Sequence, residues 1–364
     1  MLSRREFVKL CMSSTLSVPL TNILFEELVK AQVVHPEKPR ALWLQAATCS
    51  GNTLSFANTV NPYLSDVVLN VIDLKYHLEL INAFGEQSTK VIEDTVEKGD
   101  YILIVEGAIP TKDGGIYATS GERNGQPWKA IDLVRYAASR ATYVIAIGVC
   151  AVSGGPFAGH PNPTGCVGVH EVIDKPVINC PGCPCHPDWF VGTLAHLLLY
   201  KENPKLDDFN RPVMFYGRPI HDLCDRRSYF ENGIFAEYPG DFGCMYKIGC
   251  KGPITYADCP VRKWNEYVNW PVEDNAPCIG CANPGFPDAS SPFFEHLPSI
   301  RVPNITVTAN TVGVATAAVT VGAIGAHLVG NIIKGRPLGG TPHTPDKDDT
   351  GEREGKLENE ERDK

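Results

Sequence analysis

The feature that most constrains this chain is its cysteine content, thirteen in 364 residues. An odd number cannot pair completely into disulfides. The cysteines gather late in the chain among His and Pro, in short spacings such as Cys278-Ile279-Gly280-Cys281. Such spacing suits metal or iron–sulfur ligation better than a disulfide scaffold, which is typical of far shorter chains. Hydrophobic residues make up 43%, so a core is possible without covalent staples. A net charge of −9 argues against a broad nucleic-acid surface.

In the first half, four apolar, β-prone runs stand out: 41–44, 101–105, 143–147 and 176–178. Helical patterns at 85–98 and 130–139 lie between them. Strands alternating with helices predict an α/β fold with a doubly wound parallel sheet. Ligands of such sheets bind beyond the carboxyl ends of the strands. Three of the four runs lead to thiols there: Cys49, then Cys150, then the loop holding Cys180, Cys183 and Cys185. The other leads to Glu106-Gly107-Ala108-Ile109-Pro110. A lone thiol would read as a buried free cysteine, but thiols at equivalent strand ends predict a shared iron–sulfur site. No glycine-rich phosphate loop follows a strand, so a nucleotide site is unsupported.

From about residue 206 the pattern changes to loops and short helices organised by metal, with few long periodic runs. His221, Cys224, Cys244 and Cys250 form one candidate ligand set; Cys259, Cys278 and Cys281 form another. Three thiolates without a fourth suggest a [3Fe–4S] cluster, and an imidazole among thiolates suits a cluster near an acceptor. Zinc held by three cysteines and a histidine is chemically sound for the first set, so an exported zinc-stabilised binding protein stays open at this point.

The ends suggest an address. Arg4-Arg5 followed by Phe7 and an apolar stretch resembles a twin-arginine (Tat) export signal within residues 1–38. No Asp, Glu, Lys or Arg occurs between Arg301 and Lys334, which predicts a transmembrane helix over 303–334. Lys334 and Arg336 would then put a disordered tail, 335–364, on the cytoplasmic side. The expected localisation is the cell membrane, with the globular part on the periplasmic face.

Several unusual blocks occur in one order: Trp43-Leu44 before Cys49, Glu106–Pro110, Gly148–Gly155, Pro181–Pro184, Ile220-His221-Asp222, Gly249–Pro253 and Cys278–Phe286. From about Ala41 to Pro287 the chain resembles the small subunit of [NiFe] hydrogenases. The resemblance implies a flavodoxin-like domain over 39–205 holding a proximal [4Fe–4S] cluster. It also implies an Fe–S domain over 206–298 with a medial [3Fe–4S] and a distal [4Fe–4S] cluster. Proximal ligands would include Cys49, Cys150 and Cys183. The distal ligands would be His221, Cys224, Cys244 and Cys250, and the medial ligands Cys259, Cys278 and Cys281. Pro271 would stand where a fourth medial thiolate would otherwise be. The implied partners are a large subunit, which carries the Ni–Fe centre, and a cytochrome b or other quinone-linked membrane subunit. Hydrogen oxidation would occur on that large subunit, with no catalytic acid, base or nucleophile supplied here. The other reading left open is an electron-transfer subunit of another respiratory oxidoreductase. One departure matters: Asn52 stands where the family pattern has a second cysteine in the first loop. Asn52 itself, water, Cys166, Cys180 or Cys185 would complete the site, with Cys185 favoured for its closeness to Cys183; a three-iron proximal cluster is the further alternative.

Overall fold

The computed structural model describes residues 38–296, 300–302, 305–307 and 309–333. The twin-arginine segment and the tail after residue 333 lie outside them. Contacts divide the chain into two units, one ending at His296 and one beginning at Leu297.

The first unit is built on five parallel strands: β1 (Arg40–Gln45), β2 (Asp73–His77), β3 (Tyr101–Glu106), β4 (Tyr143–Ile147) and β5 (Ile178–Cys180). Their spatial order is 2-1-3-4-5, with every pairing parallel. This is the flavodoxin-like order of open α/β sheets, whose strand order reverses between β1 and β3. The β1 run is buried from Ala41 onward and β3 is buried throughout. Both faces of the sheet are covered, as near-continuous apolar strands require.

Side-chain alternation sorts the residues cleanly. Trp43, Ile102, Ile104, Ile145 and Ile147 pack on one face, with Phe56, Trp189 and Phe190 from the helices α1 (Gly51–Ala57) and α5 (Pro187–Tyr200). Leu42, Leu44, Leu103, Val105 and Val144 pack on the other, against α2 (Glu86–Lys98) and α3 (Ala130–Ala138). The first layer does not stop at the sheet. It continues through Ile220, Met245, Ile248, Ala257, Trp270 and Val272 of the later segment. That segment therefore shares one apolar layer with the sheet.

Strand β2 escapes the sequence reading because Asp73 and Lys75 break its apolar run at a sheet edge. After β4 comes a helix rather than a loop, α4 (Gly148–Ser153), which carries Cys150.

In the second unit a short hairpin, Ile300–Val302 with Ile305–Val307, accompanies a helix over Ala309–Ile333. The expected transmembrane helix is corrected here: among the described residues no helix is long and apolar enough to cross a membrane. Freedom from charge had stood in for apolarity. Asn310, Thr311, Thr316, Thr320, His327 and Asn331 interrupt the run, and glycine and alanine fill much of the rest. Placement of the chain in the cell membrane by its own helix falls with it.

Candidate iron–sulfur relay

The reversal between β1 and β3 places two turns side by side. The Ala46 N–H donates to the Glu106 carbonyl at 2.8 Å, and Ala47 and Ala108 exchange backbone hydrogen bonds at 3.1 and 2.8 Å. Cys49 leaves the first turn, and Glu106 ends the second strand as a fully buried carboxylate.

Glu106 organises this crevice. Its Oε2 accepts from Thr53 Oγ1 at 2.6 Å, Trp43 Nε1 at 3.1 Å and Gln45 Nε2 at 3.3 Å. Its Oε1 accepts from the Asn52 backbone N–H at 3.0 Å, Asn52 Nδ2 at 3.3 Å, and Thr48 Oγ1 at 3.3 Å. A buried carboxylate is tolerated only when so saturated with donors. Sequence reasoning quoted Glu106 within a block but gave it no role. The available signal was a charged residue closing an otherwise apolar strand.

The three expected proximal thiols come together here. Burial pushes Cys150 up to about 12, reinforced by Cys183, Cys49 and Glu106 nearby. Burial pushes Cys183 up to about 11, with Cys281 and Cys49 adding to the shift. As bare thiols they stay neutral; a thiolate here needs positive charge beside it, which bound iron provides. Cys49 and Cys183 are exposed in the isolated chain.

Cys185 faces elsewhere. Its thiol is fully buried and pushed up by burial and by Cys180; it donates to the His186 carbonyl at 3.4 Å, and the Tyr216 hydroxyl donates to the Pro181 carbonyl at 2.8 Å. The Cys180 thiol sits 3.6 Å from Thr193 Oγ1. Cys166 packs with Cys150 and Ala108, its sulfur 3.2 Å from Thr164 Oγ1.

The expected medial thiols line a cavity of about 450 Å³. Cys259, Cys278 and Cys281 reach into it together with Pro271, and Cys183 borders it as well. Burial raises all three thiols, and the polar Cys183 backbone N–H opposes that rise at Cys281. Cys183 thus borders the first set of thiols and the second.

The second and third sets are neighbours as well. The polar Cys278 backbone N–H partly offsets the rise that burial imposes on Cys250. The Lys251 N–H in turn donates to the Cys278 carbonyl at 2.8 Å. Cys224 is pushed up to about 11 by burial, with Cys250 and Cys244 adding to it, and the Arg226 N–H lies 3.4 Å from its sulfur. Burial lowers His221 and the Arg227 charge lowers it further, which keeps the imidazole neutral and able to bind a metal. Its ring meets Phe230 edge-on, with centroids 4.7 Å apart.

One buried ion network missed by sequence reading fixes the second set to the sheet. Arg262, closing the short helix Cys259–Arg262, bonds Asp188 of α5 at 2.9 Å and Asp258 at 2.7 Å. Trp189 Nε1 donates to Asp258 at 2.6 Å. Burial alone would lower the Arg262 guanidinium, but Asp258 and Asp188 outweigh it and hold the charge. Local spacing could have paired Arg262 only with Asp258, four residues back; its partner Asp188 lies 74 residues away.

Taken singly, no three described His, Cys, Asp or Glu side chains are grouped to hold one metal ion. A multi-iron cluster asks for a wider arrangement, one thiolate per iron.

Comparison with known proteins adds independent findings. Residues 216–294 match the family model for the C-terminal part of NiFe/NiFeSe hydrogenase small subunits. Residues 49–197 match the family described as the 20 kDa subunit of NADH ubiquinone oxidoreductase. The periplasmic [NiFeSe] hydrogenase small subunit of Desulfomicrobium baculatum is 40% identical over 311 residues, covering 80% of this chain and 98% of that protein. The quinone-reactive Ni/Fe-hydrogenase small chain of Wolinella succinogenes is 37% identical over 303 residues, covering 81% of this chain and 84% of that one. A crystal structure of the reduced, active Ni-Fe-Se hydrogenase of Desulfomicrobium baculatum superposes with a TM-score of 0.69 at 39% identity, covering 72% of this chain and all, 100%, of that one.

Proposed function

Because the chain belongs to the family of hydrogenase small subunits, whose active site lies on the large subunit, we propose that it relays electrons from H2 oxidation through three iron–sulfur clusters held by its own side chains. Cys49, Cys150 and Cys183 hold the proximal cluster. Cys259, Cys278 and Cys281 hold a medial [3Fe–4S] cluster, and His221, Cys224, Cys244 and Cys250 a distal [4Fe–4S] cluster. When bound, such clusters supply one-electron carriers whose potentials follow ligand type, burial and hydrogen bonding to sulfur.

This chain's residues do the remaining work. They separate the three sets, exclude water and place backbone donors on the sulfurs. The observation that supports the reading is that Cys183 of the first set borders the cavity lined by Cys259, Cys278 and Cys281, while the Cys278 carbonyl accepts from the Lys251 N–H, next to Cys250 of the third set. Pro271 in the medial cavity brings no donor, which favours three irons there. His221, at the far end of the row, marks the exit. The quinone-reactive relative supports a quinone-linked acceptor subunit at that end. Membership of the hydrogenase family over four-fifths of the chain weighs against another respiratory complex.

The test is anaerobic copurification with a nickel-containing large subunit, followed by iron and acid-labile sulfide analysis and EPR of the oxidised and H2-reduced protein. Three distinguishable signals, one of three-iron type, are expected. A colourless protein, or zinc alone in the thiol sites, would refute the proposal.

A further inference from the structure

A second cavity, of about 560 Å³, opens beside the thiols of the first set. Its wall runs from Gly51 and Leu54 of α1, through Thr59 and Pro184, to the loop holding Trp264 and Glu266. A Cβ on Gly51 would lie 3.1 Å from the Cys49 sulfur and 3.9 Å from Pro184 Cβ. The cavity and the mouth around Cys49 therefore share a wall.

Thr59 is 4% exposed, and its hydroxyl oxygen has no hydrogen-bond partner among the described residues. A buried hydroxyl left unpaired is costly, so a donor from outside the chain would be rewarded here. The carboxylates of the cavity differ in their partners. Asp188 is matched by Arg262 at 2.9 Å. Glu266 is exposed and makes no ion pair among the described residues. The cation nearest to it in sequence, Lys263, is taken by Glu273 at 2.8 Å.

The loop presenting Glu266 is strained. Asn265, Glu266 and Tyr267 have φ values of 52°, 59° and 66°, a left-handed conformation that residues with a Cβ keep only when their surroundings enforce it. Here the Trp264 N–H donates to the Asn269 carbonyl at 2.6 Å, and Asn265 Nδ2 donates to Asn269 Oδ1 at 2.8 Å. Trp264 and Tyr267 add aromatic surface beside the carboxylate, which favours a cation.

We propose that this cavity is the socket for a cationic side chain, arginine or lysine, of the hydrogenase large subunit. The inference rests on the function proposed above. Electrons from the large subunit's metal centre enter where ligand thiols reach the surface, and among the described cysteines only Cys49 and Cys183 are exposed. A partner covering them reaches the cavity across Gly51 and Pro184. On the way it meets Leu54, an apolar side chain 62% exposed on α1. The inserted cation pairs with Glu266, and its N–H donates to the Thr59 oxygen.

The experiment uses the intact two-subunit enzyme and measures the dissociation constant between its subunits at several salt concentrations. Glu266→Gln should weaken assembly about tenfold and flatten its salt dependence, and Glu266→Lys should weaken it about a hundredfold. Thr59→Val should weaken it about threefold with the salt dependence kept. Unchanged assembly in Glu266→Lys overturns the inference. Carboxylate footprinting of the wild-type enzyme decides independently of how the variants fold. Glu266 should be labelled more slowly in the assembled enzyme than Glu97, an exposed carboxylate of α2. Equal labelling of the two overturns the inference. A wild-type chain that retains no nickel-containing partner defeats the parent function instead, which separates the two failures.

Discussion

The sheet region and the segment after residue 216 deliver the same chemical group by different means. In the sheet region, thiols ride on strand ends and on a helix turn whose positions follow from ladder hydrogen bonds and alternating apolar packing. In the later segment they sit at the ends of short helical turns: Cys224 follows Ile220–Leu223, Cys244 precedes Met245–Ile248, and Cys259 opens Cys259–Arg262. The first arrangement is specified by periodicity. The second leans on a shared apolar layer, one buried ion network and, on the reading above, its metal clusters. Ligands carried by regular structure are therefore pre-placed, whereas ligands carried by turns gain order as metal is bound.

Iron removal should break this symmetry most visibly. After chelation, hydrogen exchange is expected to accelerate across 217–296 while the amides of β1, β3 and β4 keep their protection. Equal loss in both regions would dissolve the distinction.

Next in size is Arg262→Met. It leaves Asp188 and Asp258 buried without their cation, and stability should fall by about 3–5 kcal/mol in denaturant unfolding. An altered medial EPR signal should accompany the loss, because Cys259 sits on the same short helix.

Gly148→Ala tests the sheet side. Gly148 has φ +80, and an added Cβ meets the Asn52 carboxamide. Strain of this kind costs about 1–3 kcal/mol, readable as a lowered unfolding midpoint with the distal signal intact. Pro271→Cys sharpens the other side: one more iron atom and loss of the three-iron signal are expected, with stability little changed.

The smallest effect concerns His77. Burial lowers its pKa, while Glu79 and Glu106 pull the other way. The unfolded chain therefore takes up this proton at higher pH than the folded one. Stability from His77 is present above the unfolded value and lost as pH falls through the folded one. A His77→Gln variant should flatten the acid limb of the stability–pH curve.

Much of the sheet was legible because Tyr101–Val105 and Tyr143–Ile147 are continuous apolar runs, which only buried parallel strands or core helices explain. Strand β2 was not, since its edge position lets Asp73 and Lys75 stay in water. The ligand groupings could be drawn from order along the chain and from resemblance; the residues that hold them in place could not. The Glu106–Thr53 and Arg262–Asp188 contacts join residues far apart in sequence, and spacing carries no trace of such pairings. The helix over Ala309–Ile333 shows the reverse failure, where a charge-free stretch rich in threonine, alanine and glycine was still read as a membrane span.

The apolar layer running from Trp43 through Trp189 to Trp270 has a practical outcome for anyone dissecting the molecule. A fragment ending at residue 205 would lose the lid over Trp189, Phe190 and Leu194 and present them to water. Such a piece should clump rather than behave as a free-standing electron carrier, so the halves are best inherited, expressed and engineered together.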